Sequence, residues 1–331
     1  MTRPVTSRPV ALVAGGSRGL GLLVTRELVR RGHDVAICAR DEDELRRGAE
    51  LAAQAGEDSP WGRPTVRPYV SDVSDRAAVR DLVSQVERDL GPVEVLIHVA
   101  GVIQVGPAET MTLEHFDQAV GVMLWGLVNT AWTVLPGMRE RGHGRIGVVT
   151  SIGGKVAPPH LLPYATAKFG AVGFTEGLAS ELSGTGVTAT TIVPGLMRTG
   201  SHERAFFTGD HEAEFAWFGT AASLPLVSMN AERAARRMVE GVLDGRPLVV
   251  LTPLAKVGMR VHGVMPATTV RVMGLANRML PTAPGGRDHS RTIPGYEAAA
   301  RLSSPVVGTL TTLGRRAARR FNQRGPRAAT D

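Results

Sequence analysis

Between residues 9 and 252, short apolar runs alternate with longer segments of helical period. The runs read PVALVAG, DVAICA, TVRPYV, VEVLIHVAG, RIGVVTS, VTATTIVPG and PLVVLT. They are rich in Val and Ile and bounded by Gly, Pro or Asp, as strands buried on both faces of a sheet are. Segments of helical length separate them, among them 19–31, 42–55 and 75–90. This alternation predicts an α/β fold: a doubly wound, Rossmann-like parallel sheet with helices on both faces and right-handed crossovers.

Two helical segments carry little charge. Residues 119–135, AVGVMLWGLVNTAWTVL, enclose Asn129, two Thr and two Gly, so they predict a helix buried on most sides and not a membrane span. Residues 164–182 are similarly poor in charge. Two such helices predict self-association, as a homodimer or homotetramer. Residues 197–229 then break the pattern, with Phe206, Phe207, Phe215, Trp217 and Phe218 between two strands. A long insertion at that place predicts a lid over an apolar substrate, or a helical hairpin packing its aromatics on the core. After Thr252 the strand pattern ends. A catalytic domain is expected over 1–252, and over 253–331 a basic, mainly helical extension with stretches at 266–280 and 296–321. The chain from Asn322 onward reads as a loose end.

Composition adds constraints more than direction. Of 331 residues, 43% are apolar and 21% charged, which suits a globular chain and not a disordered one. A single cysteine, Cys38, excludes an internal disulfide framework and a Cys-cluster zinc site. His202 and His211 stand near Asp210 and Glu212 without a spacing that fixes a coordination geometry, so no metal is expected and they read as solvated loop residues. The net charge of +7 is unevenly placed: from Lys256 onward there are 13 basic and 3 acidic residues. Such an extension suits packing against the body or peripheral contact with an anionic membrane. Nucleic acid is not expected, because only Tyr296 and Phe321 are there to stack on bases. The first ten residues carry no apolar run of a secretory signal, and a cytoplasmic location is expected.

The chemistry begins where the first strand meets AGGSRGLG, residues 14–21. A strand, a glycine turn and a helix bring backbone N–H groups to a pyrophosphate, and the helix N-terminus favours its charge. Gly15, Ser17, Arg18, Gly19, Leu20 and Gly21 are the candidates, in a G-x-x-x-G-x-G spacing. The second strand ends in Arg40, where an NAD site tends to carry an acid. Arg18 and Arg40 together suit a 2′-phosphate, which predicts NADP over NAD, with Asp41 the counter-evidence. Tyr164 and Lys168 form Y-x-x-x-K, one helical turn apart, and Ser151 ends the fifth run. A phenol has a pKa near 10, and a neighbouring ammonium favours its anion, making it useful as an acid–base group.

With these residues in view, the sequence resembles the short-chain dehydrogenase/reductase family over about residues 8–252. AGGSRGLG is similar to the family's glycine loop. SDVSD places Asp72 and Val73 where the family contacts adenine, and HVAG, with Ala100 and Gly101, resembles its N-N-A-G segment. TSIGG contains Ser151, Y-A-T-A-K runs from Tyr164 to Lys168, and PGLMRT carries Pro194, Gly195 and Thr199, which in the family lie along the nicotinamide and its phosphates. The resemblance implies hydride transfer between nicotinamide and a carbonyl carbon. Tyr164 would move the proton, Lys168 would bind the nicotinamide ribose and lower the tyrosine pKa, and Ser151 would orient the oxygen. With NADP and an aromatic lid, reduction of an apolar ketone or aldehyde is expected. His98 and Met123 depart from the family, each standing where it has Asn; Met cannot orient a water as that Asn does. These departures keep a non-catalytic NADP-binding sensor or scaffold as the alternative. Sugar-nucleotide epimerases share Y-x-x-x-K but differ in glycine spacing.

Overall fold

The computed structural model describes residues 8–57, 62–224, 228–283, 290–302 and 304–324. All seven apolar runs form strands of one parallel sheet: β1 (Val10–Ala14), β2 (Asp34–Ala39), β3 (Val66–Val70), β4 (Val93–His98), β5 (Gly144–Val149), β6 (Val187–Val193) and β7 (Leu248–Val250). Their order is β7-β6-β5-β4-β1-β2-β3. The chain steps outward from β1 to β3, returns to the other side of β1, and continues to β7. The reversal falls between β1 and β4, where an open α/β sheet forms its binding crevice.

Alternation along each strand divides the core in two. Leu12 and Ala14 of β1 face a cluster with α3 (Arg76–Asp89), α5 (Gly126–Glu140) and α6 (Leu162–Glu181), represented by Val83, Leu127 and Leu178. Ala11 and Val13 face the other layer, where Leu28, Leu45 and Met238 come from α1 (Gly19–Arg30), α2 (Glu42–Ala53) and α8 (Ala231–Leu243). Burying apolar side chains on both faces of the sheet drives this assembly. The run containing Pro68 is the exception. β3 is the sheet edge and Arg67 and Pro68 are exposed, because proline cannot donate to a ladder and is tolerated where one side is open.

The apolar segment 119–135 belongs to a longer helical run, α4 (Leu113–Val120), a π turn at Gly121–Trp125, and α5. The run Leu113–Glu140 is long and apolar enough to cross a membrane by length and composition, and half of its apolar window is buried within the molecule. Trp125 and Trp132 on this run remain exposed, as does Phe169 on α6.

The insertion after β6 is folded into its own layer. Phe207 packs edge-on against Phe215 and Phe218, with ring centres 5.7 and 6.1 Å apart, and α7 (His211–Ser223) supplies the latter two. The extension covers this layer. Ile293 pairs antiparallel with Phe207, and Gly295 N–H bonds the Ala205 carbonyl at 2.8 Å. The stretch read as one helix over 296–321 is three: α11 (Gly295–Arg301), α12 (Pro305–Leu310) and α13 (Thr312–Arg320). Ser304 caps the second of these, and a capped start at that point interrupts a single helix.

Residues 322–324, read as part of a loose end, are instead folded onto the first turn of the chain. Asn322 and Gln323 are buried, and Phe321 joins the α1–α2–α8 side of the core. The rest of that end lies outside the described residues. By contrast α9 (Pro253–Val264) and α10 (Pro266–Asn277) stand off the body, with Ala255 their only buried residue. Phe321→Ala removes a ring that is 5% exposed and is expected to cost about 3–5 kcal/mol, read as a lower denaturant midpoint. An unchanged midpoint would show that the extension contributes nothing to the core.

Candidate active site

A cavity of about 900 Å³ opens at the carboxyl ends of the central strands. Gly15 follows β1 with φ +84°, and a Cβ there would meet the Ala100 backbone at 2.7 Å. A Cβ on Gly21 would lie 1.8 Å from the Gly15 carbonyl oxygen. Only glycine permits this turn, which brings the first turn of α1 to the cavity wall.

Among the residues expected at a site, Gly15, Ser17, Arg18, Leu20, Gly21, Arg40, Asp72, Val73, Ala100, Gly101, Ser151, Tyr164, Lys168, Pro194, Gly195 and Thr199 all border the cavity. Gly19 does not, because the extension covers it. Its N–H donates to the Phe321 carbonyl at 2.7 Å, and a Cβ there would sit 2.3 Å from Gln323 Nε2. Gln323 borders the cavity, and its Oε1 is buried without a partner.

Glu44, on α2, organises the rim. Its carboxylate accepts from Ser17 Oγ at 2.6 Å, Arg18 at 2.5 Å and Arg204 at 3.2 Å. Asn322 Nδ2 donates to both the Ser17 and the Glu44 carbonyls at 2.9 Å. Asp41 accepts from Glu44 N–H and caps α2. Arg40 is the most open cation of the rim, 3.9 Å from Asp72. Glu44, Arg204, Asn322 and Gln323 were not legible as site residues, since no local motif marks a contact made across about 160 to 300 positions of chain.

The acid–base group lies at the far wall. Tyr164 and Lys168 stand on α6, and Ser151 follows β5. Ser151 Oγ accepts from Gly153 N–H at 3.0 Å and is hydrogen-bonded to the Tyr164 hydroxyl. Lys168 Nζ donates to the Val149 carbonyl at 2.7 Å and lies 5.8 Å from the Tyr164 ring centre. Burial lowers the Lys168 ammonium to about 8. A lowered phenol was expected, but burial pushes Tyr164 up, and the bond to Ser151 opposes that only in part. In a dry pocket the cost of stripping water from a phenolate outweighs one hydrogen bond.

The short chain dehydrogenase family profile matches residues 9–207. The chain belongs to that family. It is 36% identical over 190 residues to an acetoacetyl-CoA reductase of Rhizobium meliloti, covering 57% of this chain and 74% of the relative. It is 37% identical over 192 residues to a putative ketoacyl reductase of Streptomyces coelicolor, covering 57% and 71%. Among solved structures, an actinorhodin polyketide ketoreductase variant with NADPH matches with a TM-score of 0.64 at 29% identity, over 73% of this chain and 95% of that one. The chain is therefore an oxidoreductase acting on keto or hydroxyl groups.

In this short-chain dehydrogenase the two departures take apolar and neutral roles. Met123 sits in the π turn, 1% exposed, and packs with Ala119 and Ala167 beside Tyr164. His98 is buried, with Nδ1 3.2 Å from Thr130 Oγ1. Burial, followed by the charge of Lys168, lowers it to about 3, so it is neutral at physiological pH. His202 is not solvated as expected. It is 1% exposed behind Phe215 and lowered to about 4, first by burial and then by Arg324 and Arg315. A buried pair also escaped the sequence reading: His160 Nδ1 lies 2.7 Å from Glu214, which accepts from Trp217 Nε1 at 2.7 Å.

Lys168→Met in the dehydrogenase gives a test of the lysine's environment. Above about pH 8 the folded parent has released a proton that the unfolded chain keeps until about 10.5. The parent therefore gains stability as pH rises through that window, while Met does not titrate. The Tm of the variant minus that of the parent is expected to fall between pH 8 and 10.5. A pH-independent difference would show an ordinary lysine.

Proposed function

We propose that this short-chain dehydrogenase is an NADP(H)-dependent reductase of apolar ketones or aldehydes. The observation that carries the reading is Ser151, Tyr164 and Lys168 bordering one cavity with Phe206, Trp217 and Phe218. The similarity to acetoacetyl-CoA and ketoacyl reductases supports a ketone as substrate. The glycine turn fits a dinucleotide, since it admits no side chains and its Gly15 and Gly21 border the cavity. Ser17, Arg18 and Leu20 would hold its phosphates, and Asp72 and Val73 its adenine end. When bound, the nicotinamide supplies the hydride.

The chain's own groups handle the proton. Ser151 donates a hydrogen bond to the carbonyl oxygen and fixes its direction. Tyr164, kept protonated by burial, donates its proton to that oxygen as negative charge develops. Lys168, an ammonium below about pH 8, stabilises the phenolate that remains and would hold the nicotinamide ribose. The aromatic layer excludes water from the reacting carbonyl.

Preference for NADP rests on where the charges lie. Asp41, the acid that would favour NAD, is spent on capping α2, and the Arg40 head group is largely exposed beside the cavity. A 2′-phosphate there forms charge-assisted bonds with Arg40 and Arg18. The similar ketoreductase solved with NADPH is consistent with that choice. Self-association is assigned to the face carrying Trp125, Trp132 and Phe169, and the location to the cytoplasm.

Titrating the purified protein with NADPH and NADH, followed by nicotinamide fluorescence, tests the reading. NADPH is expected to bind the tighter, and Arg40→Asp to weaken it by about tenfold or more and reverse the preference. Binding of neither nucleotide would overturn the proposal, and binding without turnover of any apolar carbonyl would leave a nucleotide sensor. Gln323→Glu places a like charge beside the phosphates and is expected to weaken both nucleotides by about tenfold. Parent-like binding would remove Gln323 from the site.

A further inference from the structure

We propose that the α9–α10 hairpin is a docking surface for an anionic lipid bilayer and seats the mouth of the cavity against it. In α9, Leu254, Val257, Val261 and Val264 are 69, 59, 46 and 82% exposed. Their spacing of three, four and three places them on one helical face. From α10 and the turn after it, Val270, Val272, Leu275 and Met279 are also exposed, Met279 at 83%. Ala255 alone is buried across both helices. Apolar residues clustered in this way mark an interaction surface, whereas scattered ones do not.

The charge on the hairpin selects the partner. Lys256, Arg260, Arg271 and Arg278 lie on the hairpin and its end, and no acidic residue occurs between Asp244 and Asp288. A helix pair with exposed apolar side chains whose charged residues are all cations matches a negatively charged interface, where the apolar groups enter the acyl boundary and the cations meet headgroups. A second copy of this chain is a poor match. A two-fold contact would set two cation-only surfaces against each other, and the uncharged face with Trp125, Trp132 and Phe169 is available elsewhere. The basic run RRAARR at 315–320 does not join the hairpin. It forms α13, whose Ala317 and Ala318 pack into the body.

The hairpin begins at the cavity itself. Thr252, Leu254 and Ala255 border it, and Gly258 lies beside Ile152, which borders it too. A bilayer touching the hairpin therefore lies next to the entrance. On the reading of an apolar substrate proposed above, the carbonyl compound would enter from the lipid phase.

Co-sedimentation of the full-length protein with phosphatidylcholine vesicles, with and without phosphatidylglycerol, tests the surface at low and high salt. Binding is expected to the anionic vesicles and to weaken with salt. Arg271→Glu with Arg278→Glu is expected to lower partitioning by about tenfold or more, as is Val257→Ser with Val261→Ser and Val264→Ser. Both variants should keep the parent's Tm, since these side chains touch little of the body. No binding by the parent, or equal binding by both variants at the parent's Tm, would overturn the proposal. Sedimentation velocity without lipid supplies the remaining arm: a smaller oligomer in the valine variant would assign the hairpin to a subunit interface and overturn it as well. Nucleotide titration of the same samples without vesicles reads the enzymatic proposal separately, so either can fail alone.

Discussion

At the start of α1, Gly15, Gly19 and Gly21 hold three segments of backbone closer together than side chains would permit. Gly21 rests on the Gly15 carbonyl, Gly15 on Ala100 after β4, and Gly19 gives its N–H to Phe321 of the extension. The first contact aims the helix at the cavity, and the second ties the two strands on either side of the sheet's reversal. The third brings the extension back to a turn made some three hundred residues earlier. A methyl group at any of these places would push apart the sheet, the helix or the tail, and the cavity wall with it.

Around that cradle the charges are arranged in opposition. Glu44 gathers Ser17, Arg18 and Arg204 on one carboxylate, and Arg324 engages the buried Glu203. Buried or half-buried carboxylates of the body thus hold guanidiniums of the loop, the aromatic layer and the extension. Such pairs are weak as net stabilisers, and breaking one leaves a buried charge uncompensated. Their effect is to hold the rim in one arrangement. At the opposite wall the same dryness favours a neutral Tyr164 and softens the Lys168 ammonium, so proton donation starts from the form that burial prefers.

The sheet was legible because its signal is local. Runs such as VEVLIHVAG are strands whatever their neighbours, and the five inner strands are buried or half-buried on both faces as their composition implies. Pro68 marked TVRPYV as an edge, a distinction that composition alone did not draw. The glycine loop, Ser151 and Y-x-x-x-K were legible because steric and helical spacing dictates them. Glu44, Gln323 and the His160–Glu214 pair were not, since each meets its partner only through the tertiary fold. The tail misled for a related reason. Polarity in NQRG reads as solvation, yet Asn322 spends its amide on two backbone carbonyls of the loop and is buried by doing so.

That last contact ties the pocket to the extension. The glycine turn belongs to the first strand–helix unit of the sheet, but its outer wall is supplied by Phe321, Asn322 and Gln323. The seven strands alone lack the residues that cover Gly19, so the finished pocket depends on a segment that adds no strand to the sheet. Loss of the extension would uncover the glycine turn and withdraw Phe321 from the core together, so the pocket and the stability of the sheet layer are coupled through one segment.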